Sequence, residues 1–343
     1  MKNGKLQAID LFSGAGGLSQ GLKQAEFQVI GAVEFVENFA KSYELNHPKT
    51  KMYNVDIREL DPIMLKKNLG LRKGQLDLLA GCPPCQGFST IGTRNKGNKN
   101  DPRNELVFQI TRFVEVLMPK TIMMENVPAL IKDIRMNKLV KDLETLGYII
   151  DKKVLNTADF GVPQSRRRMI LLASRKKGLS IDSQNQNLED VVTVRNAIGN
   201  LEKAEESKDW LHNSLVNYKE KTIKIIKAIP KNGGSRTDLP IELQLNCHKK
   251  ITGFKDVYGR MNWDRPSPTI TGGCTSASKG RFIHPEEDRA ITLREAALLQ
   301  SFPRDYKFYS SSSKQEIATM IGNALPPKFI EYHAKGIVKH IKK

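Results

Sequence analysis

The chain has 343 residues, 39% hydrophobic and 27% charged, enough for one large α/β domain and a smaller companion. Its 55 Lys and Arg against 37 Asp and Glu leave a net charge of +18, which points to a polyanionic partner. A membrane surface is disfavoured because no basic amphipathic helix with an aromatic face stands out, and four cysteines are too few for a disulfide framework.

In chain order, apolar runs at 8–12 and 29–34 predict the first strands, and 76–80 predicts another. Leu106, Ile110, Phe113, Val114 and Leu117 then recur at helical spacing, 121–124 reads as a strand, and Leu139, Leu143 and Leu146 mark a second helix. A strand at 169–173 follows. Strands alternating with helices imply an α/β fold with a doubly wound, mostly parallel sheet. Residues 176–190 are polar and rich in Ser, Asn and Gln, as a linker would be, and to about residue 280 the periodicity is weak. A loop-rich second domain with a few strands is expected there. Helical spacing returns at 293–300 and 328–341, so the expected division is 1–179, 180–290, and a segment 291–343 that rejoins the first domain. No apolar run has the length of a membrane span, and residues 1–12 carry no signal-peptide core. A reducing, cytoplasmic setting is expected, with a monomeric protein.

Four stretches carry candidate chemistry. Asp10-Leu11-Phe12-Ser13-Gly14-Ala15-Gly16-Gly17-Leu18 follows a strand and opens a helix, where glycines let the backbone approach a nucleotide. Glu34 ends the next strand, 20 residues beyond Gly14, where a carboxylate can accept from two ribose hydroxyls. The sixth position of a dinucleotide fingerprint is Ser19, and Phe12 puts an aromatic where a pyrophosphate would need donors. A nucleoside without pyrophosphate, such as S-adenosylmethionine, fits better. Asp56, at the end of the segment 52–55, could accept from an adenine amine or simply shape a turn.

Gly81-Cys82-Pro83-Pro84-Cys85-Gln86-Gly87-Phe88-Ser89 follows the strand 76–80, and its prolines give Cys85 a stiff mount at a sheet edge. Cys85 taken alone reads as a nucleophile, a small buried hydrophobe, or half of a redox or zinc pair with Cys82. Glu125-Asn126-Val127-Pro128 ends the strand 121–124 and could bring an acid to the same edge. Gln164, Arg166 and Arg168 alternate ahead of 169–173 and would share one face. Two guanidiniums there suit a phosphate or a carbonyl oxygen.

Together with Arg265-Pro266-Ser267-Pro268-Thr269-Ile270-Thr271, the segment 300–303, and Ile321-Gly322-Asn323-Ala324-Leu325-Pro326-Pro327, this series resembles the cytosine-C5 DNA methyltransferases over nearly the whole chain. The resemblance implies that Cys85 attacks C6 of a cytosine flipped out of double-stranded DNA, while Glu125 bonds N3 and the amine. Arg166 and Arg168 would contact the cytosine carbonyl and hold the geometry. It assigns Phe12, Gly14, Gly16, Gly17, Leu18, Glu34, Phe35, Asp56, Ile57, Pro83, Leu106, Asn323 and Ala324 to S-adenosylmethionine, with S-adenosylhomocysteine as product. Gln86, Ser89, Arg94, Lys96, Lys99, Arg103 and Gln164 fall to DNA, and a variable target-recognition region spans about 180–261. No metal is implied. The compact size and the resemblance together suggest a prokaryotic or phage restriction-modification role with a partner endonuclease. An RNA cytosine methyltransferase is the nearest alternative. A nicotinamide-linked oxidoreductase would leave Cys85, Glu125 and Arg166 idle, and a non-catalytic DNA-binding protein would have no use for all three intact.

Overall fold

The computed structural model describes residues 4–84, 102–183, 191–245, 253 and 256–343. Strands β1 (Gln7–Leu11), β2 (Gln28–Glu34), β3 (Lys51–Asn54), β4 (Leu78–Gly81), β5 (Thr121–Asn126), β6 (Ile149–Asn156) and β7 (Arg167–Ser174) form one sheet, ordered β3-β2-β1-β4-β5-β7-β6. The first five pair in parallel, and β7 runs antiparallel to both β5 and β6.

Alternation along the central strands divides the core. Ile9, Leu11, Leu79, Ile122, Met124 and Leu171 face one side, and Ala8, Leu78, Ala80, Met123, Ile170 and Leu172 the other. On the first side the sheet is covered by α3 (Pro62–Asn68), α4 (Gln109–Leu117) and α5 (Ile134–Thr145); the second side carries α1 (Gly17–Gln24). Between them in sequence lies α2 (Glu37–Asn46). Local chemistry sets the helix starts: Asp61 accepts from Ile63 N with Pro62 in the first turn, and Asp133 caps α5 through Arg135 N.

The spacing at 106–117 and 139–146 is realised as buried faces of α4 and α5. Strand β6 had no signal in the sequence. It is an edge strand of intermediate burial, with Lys152 and Lys153 in its middle, so it lacks both an apolar run and a clean alternation.

Beyond the sheet come the short helices α6 (Val194–Ile198), α7 (Trp210–Asn213) and α8 (Glu220–Ala228), then α9 (Leu293–Leu299), α10 (Lys314–Asn323) and α11 (Pro327–Lys342). The expected strands of 180–290 are not found: the described residues there make only isolated bridges, such as Arg260 with Ile283. Side chains satisfy the backbone instead. Arg260, wholly buried, donates to the carbonyls of Ile226, Ile229, His284 and Glu287 and pairs with Asp288 at 2.5 Å. One core joins Val194, Ile198, Leu211, Met261 and Phe282 to Leu293, Leu299, Phe302 and Ile317, continuous across residue 290. The tail reaches the sheet with Leu325 and α11, whose Phe329, Ile330 and Ala334 pack with Leu18 and Leu22 of α1.

Candidate active site

In an open α/β sheet, ligands bind at the carboxyl ends of the strands where the order reverses. Here the chain moves outward from β1 through β2 to β3 on one side, and from β4 on the other. A cavity of about 740 Å³ opens at that edge, walled by residues that follow β1, β2, β3, β4 and β5. Because β7 is antiparallel, its beginning lies at the same edge, which brings Arg166 and Arg168 onto the wall beside Glu125.

One end of the cavity is built by the glycine loop. Phe12 holds a left-handed backbone (φ 63°), a strained conformation for a non-glycine residue of the kind kept at ligand sites. Glu34 Oε2 accepts from Gly14 N and Oε1 from Val36 N, both at 2.8 Å, so the carboxylate is oriented with lone pairs to spare. Burial raises its pKa, and the amides of Val36, Gly14 and Phe35 pull it back. Phe35 presents an aromatic ring that is 69% exposed, and Ser13 Oγ is buried on the wall with no hydrogen-bond partner among the described residues. An oriented carboxylate, an uncovered ring and an orphaned hydroxyl fit a nucleoside with a polar tail. Gly14, Gly17, Leu18, Ile57, Pro83, Leu106, Asn323 and Ala324 also line the cavity.

Two expectations change here. Gly16 does not line the cavity; its φ of 97° starts α1, and a Cβ would meet Tyr306 Oη at 2.6 Å and the His47 ring at 2.8 Å. It allows the 291–308 segment to close on the loop. Asp56 does line the cavity, but its carboxylate is gripped by the Arg58 guanidinium (Nη2 to Oδ2 2.5 Å, Nε to Oδ1 3.0 Å), which holds its pKa below the usual range.

The other end is acidic and buried. Glu125 is 6% exposed, and burial pushes its pKa up against the pull of Arg168 and Arg166. Arg168 Nε stands 2.9 Å from Glu125 Oε1 as an ion pair. Its N–H is not aimed along that vector, so Oε1 has no hydrogen-bond partner among the described residues. Cys82, read from sequence as half of a Cys pair, faces the cavity against Glu125; burial and that carboxyl push its thiol up, away from thiolate character. Asn126 Nδ2 donates to Pro83 O at 2.9 Å and so ties the end of β5 to the Pro-Pro turn.

Arg166 is buried, with Nη1 donating to Ile270 O (2.9 Å) and Nη2 to Gly322 O (3.0 Å). Burial and the neighbouring Arg168 lower its pKa to about 9, so the guanidinium is charged at neutral pH. Gln164, expected at the DNA, is wholly buried instead: Oε1 accepts from Ile270 N at 2.8 Å and Nε2 donates to Gln300 Oε1 at 2.7 Å. Both ends of its amide are used inside the protein, so it clamps the 265–272 segment to the sheet. Arg103 is on the cavity wall. Cys85, Gln86, Ser89, Arg94, Lys96 and Lys99 lie outside the described residues; Pro83 and Pro84, just before them, line the cavity. Sequence reasoning missed Ser13, Arg58 and Asn126 as parts of the site, although each stands within two residues of a position it had singled out.

A family model described as C-5 cytosine-specific DNA methylase matches residues 6–339. The chain is 35% identical over 349 residues to the type II methylase M.HgiDII of Herpetosiphon aurantiacus, covering 97% of this chain and 95% of that protein. It is also 35% identical to the type II methyltransferase M1.HphI of Haemophilus parahaemolyticus, covering 97% and 87%. Among solved structures, the Entamoeba histolytica methyltransferase EhMeth superposes with a TM-score of 0.70 at 17% identity, over 99% of this chain and all of that one, a likeness of fold.

Proposed function

The chain belongs to the C-5 cytosine-specific DNA methylase family, and from its activity, DNA cytosine-5 methylation, we propose how its residues perform the reaction. The observation that carries the proposal is the shared cavity, lined both by the buried Glu125, ion-paired with Arg168, and by the Glu34–Phe35 wall. The family requires a methyl donor, and we assign the Glu34 end to S-adenosylmethionine, with Glu34 on the ribose hydroxyls and Phe12 and Phe35 against the adenine. Bound there, it supplies an electrophilic sulfonium methyl and leaves as S-adenosylhomocysteine.

The substrate is a cytosine flipped from double-stranded DNA into the Glu125 end. Cys85 adds its thiolate to C6, which turns the unreactive C5 into an enamine carbon able to accept a methyl. Glu125 hydrogen-bonds N3 and the exocyclic amine, and a protonated carboxyl suits this because charge develops on N3 as the thiolate adds. Arg168, beside Glu125, is placed in the role of carbonyl contact; Arg166, with both Nη groups committed to backbone, serves as a strut. A base then removes the C5 proton and the thiolate departs. Arg94, Lys96, Lys99 and Arg103 are assigned to phosphates, with Gln86 and Ser89 near the flipped base. The type II names of the relatives support a restriction-modification role with a partner endonuclease, in the cytoplasm of a prokaryotic cell.

The test is bisulfite sequencing of DNA from cells expressing the protein or Cys85→Ser. The intact protein should leave 5-methylcytosine at one recurrent sequence, and the variant none, while purified Cys85→Ser still binds S-adenosylhomocysteine in a calorimeter. Methylation by the variant at the normal level would overturn the thiolate mechanism.

A further inference from the structure

Arg112, half-buried on α4, reaches over to the turn that follows β3 and donates to three of its carbonyls. Nη1 bonds Arg58 O at 2.9 Å, and Nη2 bonds Ile57 O at 2.5 Å and Leu60 O at 2.6 Å. Within the turn, Glu59 N and Leu60 N fall back on Asp56 O, at 2.9 and 3.3 Å, and Arg58 N on Asp56 Oδ1 at 2.9 Å, so its bonds are local ones centred on Asp56. Yet it provides Asp56, Ile57 and Arg58 to the cavity wall. Another stretch of wall, Arg103 and Leu106, lies on the 3-10 turn Pro102–Phe108 that runs directly into α4. One guanidinium therefore fastens two walls of the same cavity to each other. The planar fork offers two separate nitrogens in fixed geometry to the three carbonyls, where an ammonium would offer one nitrogen on a flexible stem.

We infer that Arg112 is a positioning residue for the methyl donor, setting the separation between the 56–58 wall and Leu106. It touches neither cytosine nor the Glu125 end, so its influence should fall on donor binding and spare the chemical step. The inference rests on reading the Glu34 end as the donor site.

Arg112→Gln and Arg112→Lys test it, with S-adenosylhomocysteine as calorimetric probe and steady-state kinetics on duplex DNA. Arg112→Gln should bind the probe about tenfold more weakly and raise the KM for donor by a similar factor, with kcat and the KM for DNA unchanged. Arg112→Lys should fall between the two. A folded Arg112→Gln protein that binds the probe as the parent does overturns the inference, and so does a parallel loss of kcat, DNA affinity and melting temperature. Should Arg112→Gln fail to fold, parent-like affinity in Arg112→Lys overturns it. Failure of the parent itself to bind the probe would instead sink the reading of the cavity.

Discussion

Glu125 shows what burial does to a single side chain. The carboxyl is held close to two guanidiniums, yet desolvation outweighs them and keeps its pKa above the ordinary value, so the acid form persists to higher pH. Glu125→Gln keeps the shape and removes the proton donor. Turnover should fall about 100-fold or more while S-adenosylhomocysteine affinity stays unchanged, as single-turnover kinetics and calorimetry would read. The parent's rate should decline as pH rises through the raised pKa, and that limb should vanish in the variant. From sequence, Glu125 and Glu34 were legible because each directly ends or follows a strand, and Phe35 only through the family resemblance. That Glu125 meets Cys82 and Arg168 was not, since those contacts join residues more than 40 positions apart.

Helix α11 carries the tail onto the sheet, and its stability has a built-in pH dependence. His333 sits among Phe160, Phe329 and Tyr332, with Nε2 buried and lacking a partner among the described residues. Burial lowers its pKa to about 4 from an unfolded value near 6.5. A depressed folded pKa means the unfolded chain binds the proton first as pH falls. The contribution is therefore present above about 6.5 and is lost on the way down to about 4; His47, similarly buried, adds to the same window. His333→Phe should match or exceed the parent's stability at pH 7. Between pH 7 and pH 5 it should lose about 2 kcal/mol less than the parent, measured by urea unfolding. Among elements, the strands with continuous apolar runs and the helices with clean periodicity were readable. The reversal of β7 was not, because side-chain alternation is the same whichever way a strand points. Nor was the lack of strands among the described residues of 180–290, where Arg260 does what a ladder would.

Across the whole molecule, one buried relay connects parts far apart in the chain. The Ile270 amide donates to Gln164, Gln164 donates to Gln300, and Gln300 donates to Ile321 O at 2.6 Å and Ala324 O at 3.2 Å. It joins the lead into β7, the 265–272 segment, the end of α9, and the α10–α11 junction that carries Asn323. Close packing reinforces it: a Cβ on Gly322 would lie 2.3 Å from Gly272 N. Gln300→Leu would strand the Gln164 amide and the Ile321 carbonyl, so a loss of about 2–4 kcal/mol in urea unfolding is expected. Affinity for S-adenosylhomocysteine should weaken with it. An intact stability would show that the relay is dispensable.

By itself the sequence determined the chemistry on offer: a cysteine after a Pro-Pro pair, acids at strand ends, a glycine loop, a basic balance, and strands that alternate with helices. Residue type and local spacing decide these, and both are local properties. Only the tertiary structure decided which groups are already engaged. It turned Gln164 from a DNA contact into a clamp, moved Gly16 off the cavity, gave Asp56 to Arg58, and made Arg112 the tie between two walls. Those outcomes depend on long-range hydrogen bonds, and such bonds form wherever the fold buries a donor beside an acceptor, whatever their distance in sequence.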